Sequence, residues 1–295
     1  MMNRSAAVVL PSMLGFVISV MSVDARAEGL VVPKKNKGEA DAPAAPLENN
    51  WMDYNARPLT LGKGVVGIHA DFAVDISAHQ WGKPLWLIPN VYYGVSDQLS
   101  VGIVENPTWE FFPSQGGFCL SNDTYCGKVV VPNNTSLDLK FSLSRTASME
   151  VAFHGGIDLL AIDPFTAAGR AGLLLKILIN GPVSIMADPS FRAGITRRNP
   201  PAPYAPNKEY ISVPIRVGYQ LNPQVNVGLL TGVNSALDGF ADRYQVPVGL
   251  TGLAALTDKI DVGATLLFPA VAGFVGPGTS HADYRSFAMS ASYRM

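Results

Sequence analysis

The residues of this chain that could do chemistry are ionisable ones placed at every second position of otherwise apolar stretches. Asp71, Asp75, Asp138, Glu150, Asp188 and Asp261 are acidic, Lys140, Arg170, Lys176, Arg192, Arg216 and Arg294 are basic, and His69 and His154 join them. Charges of both signs on one enclosed surface have two uses. Packed away from water they must pair, and they then fill the space between them. Along a water-filled path they decide which solutes pass. The balance of signs argues against strong ion selectivity and suits a polar or zwitterionic small solute.

Covalent chemistry has less support. Nucleophilic catalysis needs a serine activated by a neighbouring histidine. The four histidines are His69, His79, His154 and His281, and none stands in an H-x-S-x-G-type context. No catalytic residue, metal site or cofactor is expected. Cys119 and Cys126, in CLSNDTYC, read as a disulfide closing a short local loop if the chain is exported.

The elements that must carry these residues are strands. In VGIHADFAVDI, Val66, Ile68, Ala70, Phe72, Val74 and Ile76 alternate with Gly67, His69, Asp71, Ala73 and Asp75. Period-2 alternation puts the two sets on opposite faces. The run exceeds the usual soluble strand of about 5–6 residues and suits a bilayer-crossing strand of about 9–11. The same pattern recurs around Leu139, Leu173, Ile215 and Met289.

One turn is repeated. VSDQLSVG (95–102), LNPQVNVG (221–228) and LTDKIDVG (256–263) share a template, with looser copies at INGPVSIM (179–186) and LSRTASMEVA (143–152). Five short turns alternate with six longer connections, including Asn106–Asn134, Asp158–Ala168 and Thr196–Glu209. The pattern predicts a closed, antiparallel, up-and-down transmembrane β-barrel of about twelve strands, with both ends on the short-turn side. If the 144–148 turn fails, the count is ten. A closed sheet leaves no unpaired backbone in lipid. By parity the fourteen ionisable residues line the lumen, and the template glycines Gly102, Gly228 and Gly263 leave room there. Tyr93, Tyr219 and Tyr293 face outward as part of an aromatic girdle.

Residues 1–27 read as a cleaved secretory signal: Arg4, an apolar core, then Ala25-Arg26-Ala27. Without them the chain keeps 20 of its 22 basic and 22 of its 23 acidic residues, a balance that gives no argument for nucleic acid. Residues 28–58, with KKNKGEADAPAAP, lack periodicity and read as a disordered periplasmic tether; 59–295 is the barrel.

The final residues, FAMSASYRM, resemble the C-terminal strand of Gram-negative outer-membrane proteins. Phe287, Tyr293 and Met295 occupy its assembly-signal positions, with Met where Phe or Trp is usual. The YGVSDQLSVG hairpins resemble those of porin-like and transporter-like small barrels. The resemblance implies an outer-membrane location, lipid and lipopolysaccharide as surroundings, and the barrel-assembly machinery as partner. Passive passage of small polar solutes is the leading expectation. A plugged barrel acting through its outer loops is the alternative.

Overall fold

Strands form wherever the alternation runs. The computed structural model describes residues 51–77, 81–105, 117–121, 134–179, 181–201, 206–275, 280–283 and 285–295. The expected signal, His79 and Cys126 lie outside them. Twelve barrel strands result. They are β1 (Val66–Asp75), β2 (Leu85–Gly94), β3 (Leu99–Glu105), β4 (Thr135–Arg145), β5 (Met149–Ala161) and β6 (Thr166–Ile179), then β7 in two pieces (Val183–Ala187 and Ser190–Gly194). β8 (Tyr210–Asn222), β9 (Val225–Ala236), β10 (Gln245–Ala255), β11 (Ile260–Gly273) and β12 (Ser286–Arg294) complete the set. β7 breaks at Asp188-Pro189, because proline has no N–H for the ladder; both pieces still pair with β6 and β8.

Each strand pairs antiparallel with its sequence neighbours. Closure comes from β1, which pairs with β2 on one side and with β12 on the other, Gly67 opposite Arg294 and Asp75 opposite Ser286. No barrel edge is left open to lipid.

The repeated turns owe their shared template to one side chain. Ser96 Oγ accepts the Leu99 N–H at 3.1 Å, and Thr146 Oγ1 the Met149 N–H at 3.0 Å. Asn222 Oδ1 accepts Val225 N–H at 2.9 Å, and Thr257 Oγ1 accepts Ile260 N–H at 3.0 Å. A short polar side chain three residues before the strand thus replaces a backbone turn bond. The 144–148 turn belongs to this set, so the strand number is twelve and not ten.

One expected loop is shorter than the sequence suggested. The Asp158–Ala168 connection is a tight turn at 162–165, because β5 and β6 stay paired through Asp158 opposite Ala168 and Leu159 opposite Ala167. Two other connections carry local structure: a one-turn helix α1 (Phe240–Arg243) between β9 and β10, and a two-residue strand, Phe118–Cys119, on β2.

The burial pattern is inverted relative to a water-soluble domain. Every barrel strand exposes a large apolar residue, among them Ile103 (58% exposed), Leu137 (66%), Leu250 (61%) and Met289 (57%). Most of the buried residues are polar, and Asp138, Glu150, His154, Asp158, Arg170 and Asp261 are among them. A continuous apolar belt around a closed sheet is far larger than the patches soluble monomers tolerate. It excludes a secreted sandwich and fits a barrel in lipid. Tyr93, Tyr219 and Tyr293 stand outward near the short-turn ends.

Candidate functional site

The inner wall carries its charges in three groups. The largest centres on Arg170. Its guanidinium reaches Asp138 Oδ1 at 2.5 Å, Asp158 Oδ1 at 3.3 Å and His154 Nδ1 at 2.7 Å. His154 Nε2 lies 2.6 Å from Asp188 Oδ1. Ser136 donates to Asp158 at 2.7 Å and the Tyr92 hydroxyl to Asp138 at 2.8 Å. Neighbouring strands place these groups side by side: Asp138 opposite Gly156, Gly156 opposite Arg170, His154 opposite Gly172. A Cβ on Gly172 would come within 2.2 Å of His154 Nε2, so only glycine admits the imidazole. The sequence reading had Asp138, His154, Arg170 and Asp188 on this wall but assigned Asp158 to a loop. Its parity, two-by-two from Glu150 and His154, was the signal that would have found it.

The second group rings the short-turn mouth, and the chain's own N-terminal segment completes it. Trp51–Pro58, the last part of the segment expected as a tether, enters the barrel. Arg57 holds Asp261 with two bonds, 2.9 and 2.6 Å, and Arg294 reaches the same carboxylate at 2.6 Å. Leu59 N–H donates to Glu150 Oε1 at 2.9 Å. Lys176 donates to the Arg57 carbonyl and sits 3.4 Å from Glu150 Oε2. Asn55 bonds the Pro182 carbonyl at 2.9 Å, and Leu61 N–H donates to Ser100 Oγ at 2.8 Å. Tyr54 lies under the guanidinium groups of Arg57 and Arg216, at 5.3 and 4.5 Å, and Trp51 under that of Arg294 at 5.0 Å. Cation–π contacts away from bulk water are among the stronger of their kind. The segment turns locally because Asp53 Oδ1 accepts the Asn55 N–H at 2.9 Å.

The template glycines play a different part from the one expected. Their space is occupied by neighbouring side chains: the Tyr92 ring comes within 2.5 Å of where a Gly102 Cβ would stand, and Arg216 Nε within 2.9 Å of one on Gly228. They let long side chains lie flat on the wall.

The third group is a chain of three. Ser292 Oγ lies 2.7 Å from His69 Nδ1, and His69 Nε2 lies 2.9 Å from Asp71 Oδ2. The register makes it, since His69 is directly opposite Ser292. No sequence motif announces it, because the two residues are separated by the whole barrel. The remaining candidates scatter. Lys140 lies over the Tyr92 ring at 4.3 Å and Arg192 over Tyr210 at 5.1 Å, while Asp75 only receives the Ser77 N–H at 2.7 Å.

The wall of β9–β12 is sparse in charge. On β9, β10, β11 and β12 the inward positions above Asp261 and Arg294 include Asn226, Gly228, Thr251, Gly263, Thr265 and Ser290, and no charged residue. β4–β8 therefore carry most of the inner charge, β1 adds His69, Asp71 and Asp75, and β9–β12 are sparse. Beside the N-terminal segment, a cavity of about 170 Å³ reaches from Trp51 and Pro58 to Lys140 and Arg294.

A closed barrel of twelve antiparallel strands, apolar outside and polar inside, is a protein that crosses a bilayer with strands. No protein-family model matches the chain, and no characterised protein matches it by sequence. Its structure is similar to that of the NanC porin, at 9% identity, covering 78% of this chain and 100% of that one, with a TM-score of 0.53. The KdgM porin is also similar in fold, at 6% identity, over 77% and 98% of the two chains, with a TM-score of 0.49. What the chain shares with the NanC porin is the fold, a closed antiparallel β-barrel.

Proposed function

We propose that this chain is a passive outer-membrane channel for small polar solutes, with its short turns and both termini on the periplasmic side. The observation that carries this reading is the unequal lumen. Most of the paired charges sit on β4–β8, and above Asp261 and Arg294 the inner faces of β9–β12 offer an uncharged path past them. A polar path without unpaired charge suits small polar solutes and gives no strong ion selectivity. The N-terminal segment supports the other reading, a plugged barrel acting through its loops, because it bridges several strands at the mouth. Single-channel recording of the refolded full chain in a planar bilayer separates the two, once heat-modifiable migration has shown that it folded. Discrete, stable steps are expected. A folded barrel that stays silent overturns the channel.

In the same reading the barrel does no covalent chemistry. Ser292, His69 and Asp71 resemble a nucleophile–base–carboxylate set. Acyl transfer also needs donors aimed at a developing oxyanion. Around Ser292 the backbone N–H groups are committed to the ladders of β12 with β1 and β11. We expect a fluorophosphonate probe to leave Ser292 unmodified in the folded protein, read by peptide mass spectrometry. Adduct at Ser292 would identify an activated serine and an enzyme.

A further inference from the structure

We propose that the cavity beside the N-terminal segment is a binding site for a small carboxylate with an apolar body. Three of its lining residues, Lys140, Arg294 and His69, are cationic or can become so, and no Asp or Glu is among the described residues that line it. The acids close by are already engaged. Asp261 takes Arg57 and Arg294, Asp71 takes His69, and Asp138 takes Arg170 and Tyr92.

Lys140 is the odd charge. It makes no ion pair with any described acid, and its ammonium rests on the Tyr92 ring at 4.3 Å. Tyr92 is held in turn by its bond to Asp138 at 2.8 Å, so the platform is fixed. An ammonium in a confined, partly dry space without a carboxylate is costly, and an arriving anion relieves that cost.

The remaining lining of the cavity selects the rest of the ligand. Trp51, Pro58, Leu59 and Leu61 supply apolar lining, with Trp51 under the Arg294 guanidinium at 5.0 Å. Apolar walls with a few placed polar groups are the usual make-up of small-molecule sites. The volume of about 170 Å³ is close to that of a cavity that admits benzene, about 150 Å³. Both features point to a one-ring or short-chain acid. The segment that narrows the mouth thereby builds one side of the site.

The inference rests on the channel reading only for how the solute arrives, so its test avoids conduction. Sodium benzoate is titrated into the refolded full chain in micelles, with Trp51 fluorescence as signal and Trp51→Phe as blank. Benzamide is the neutral isostere, and sodium chloride at equal ionic strength controls for inorganic anions. Benzoate should give a saturable change that chloride and benzamide do not. Lys140→Gln should weaken it at least about tenfold, the loss of one charge-assisted contact, and Lys140→Arg should retain it. Equal binding of benzamide, competition by chloride alone, or an unchanged affinity in Lys140→Gln would each overturn the site. A barrel that binds benzoate and never conducts keeps the site and loses the channel. One that conducts and does not bind does the reverse.

Discussion

Deleting residues 51–60 should raise single-channel conductance at least about twofold, since conductance follows the open cross-section and a twelve-stranded barrel has little of it to spare. The segment sits across the short-turn mouth, held by Arg57 on Asp261, by Leu59 on Glu150 and by Asn55 on the 182 carbonyl. The barrel should survive its loss. Asp261 keeps Arg294 at 2.6 Å, and Glu150 keeps Lys176 at 3.4 Å, so neither buried carboxylate is stranded. Arg57→Ala alone should give an intermediate result: long closed periods broken by openings to the larger level, because one anchor of several is removed. Planar-bilayer recording of the three proteins checks this. Identical conductance in the deletion and the parent would place the segment outside the conducting path.

Arg170→Ala should be the most destabilising single substitution in the lumen, by about 3–5 kcal/mol, the range for breaking a buried charge pair from one side. Arg170 and Asp138 have side chains 2% exposed, and Asp158 is fully buried. Removing the guanidinium leaves both carboxylates without their cation, and His154 loses a partner as well. Arg170→Lys should recover part of the loss, because an ammonium keeps the charge but cannot reach Asp138, Asp158 and His154 together as the planar fork does. Replacing Arg170, Asp138 and Asp158 together by apolar residues of similar size should cost less than Arg170→Ala alone. Urea unfolding of the micelle-bound proteins, followed by gel migration or far-UV circular dichroism, reads the order. An Arg170→Ala barrel as stable as the parent would mean that water already solvates the cluster and that the lumen is wide.

Much of this protein could be read from its residues in order. Period-2 alternation is a local property, and it settled which face of each strand meets lipid. That is why Asp138, Glu150, His154, Arg170, Lys176 and Asp261 could be placed inside before any strand was paired. Ser96, Thr146, Asn222 and Thr257 marked the short turns, because a turn is made within four residues. Turn count then bounded the strand number at twelve or ten. What remained hidden depends on residues far apart in sequence. Arg57 and Asp261 are separated by 204 positions, and Ser292 and His69 by 223. Parity places such residues on the inner surface without saying which cation meets which acid; only closure of β1 on β12 and the register of each pair decide that. Residues 51–58 have no periodicity to read, since their structure is imposed by the wall around them. The sequence by itself determined a closed barrel of about twelve strands, or ten, with a polar interior, and the hydrogen-bonded turn at Thr146 made it twelve. The tertiary structure decided which charges pair, that most of the pairs gather on β4–β8, and that the chain's own N-terminal segment occupies the mouth.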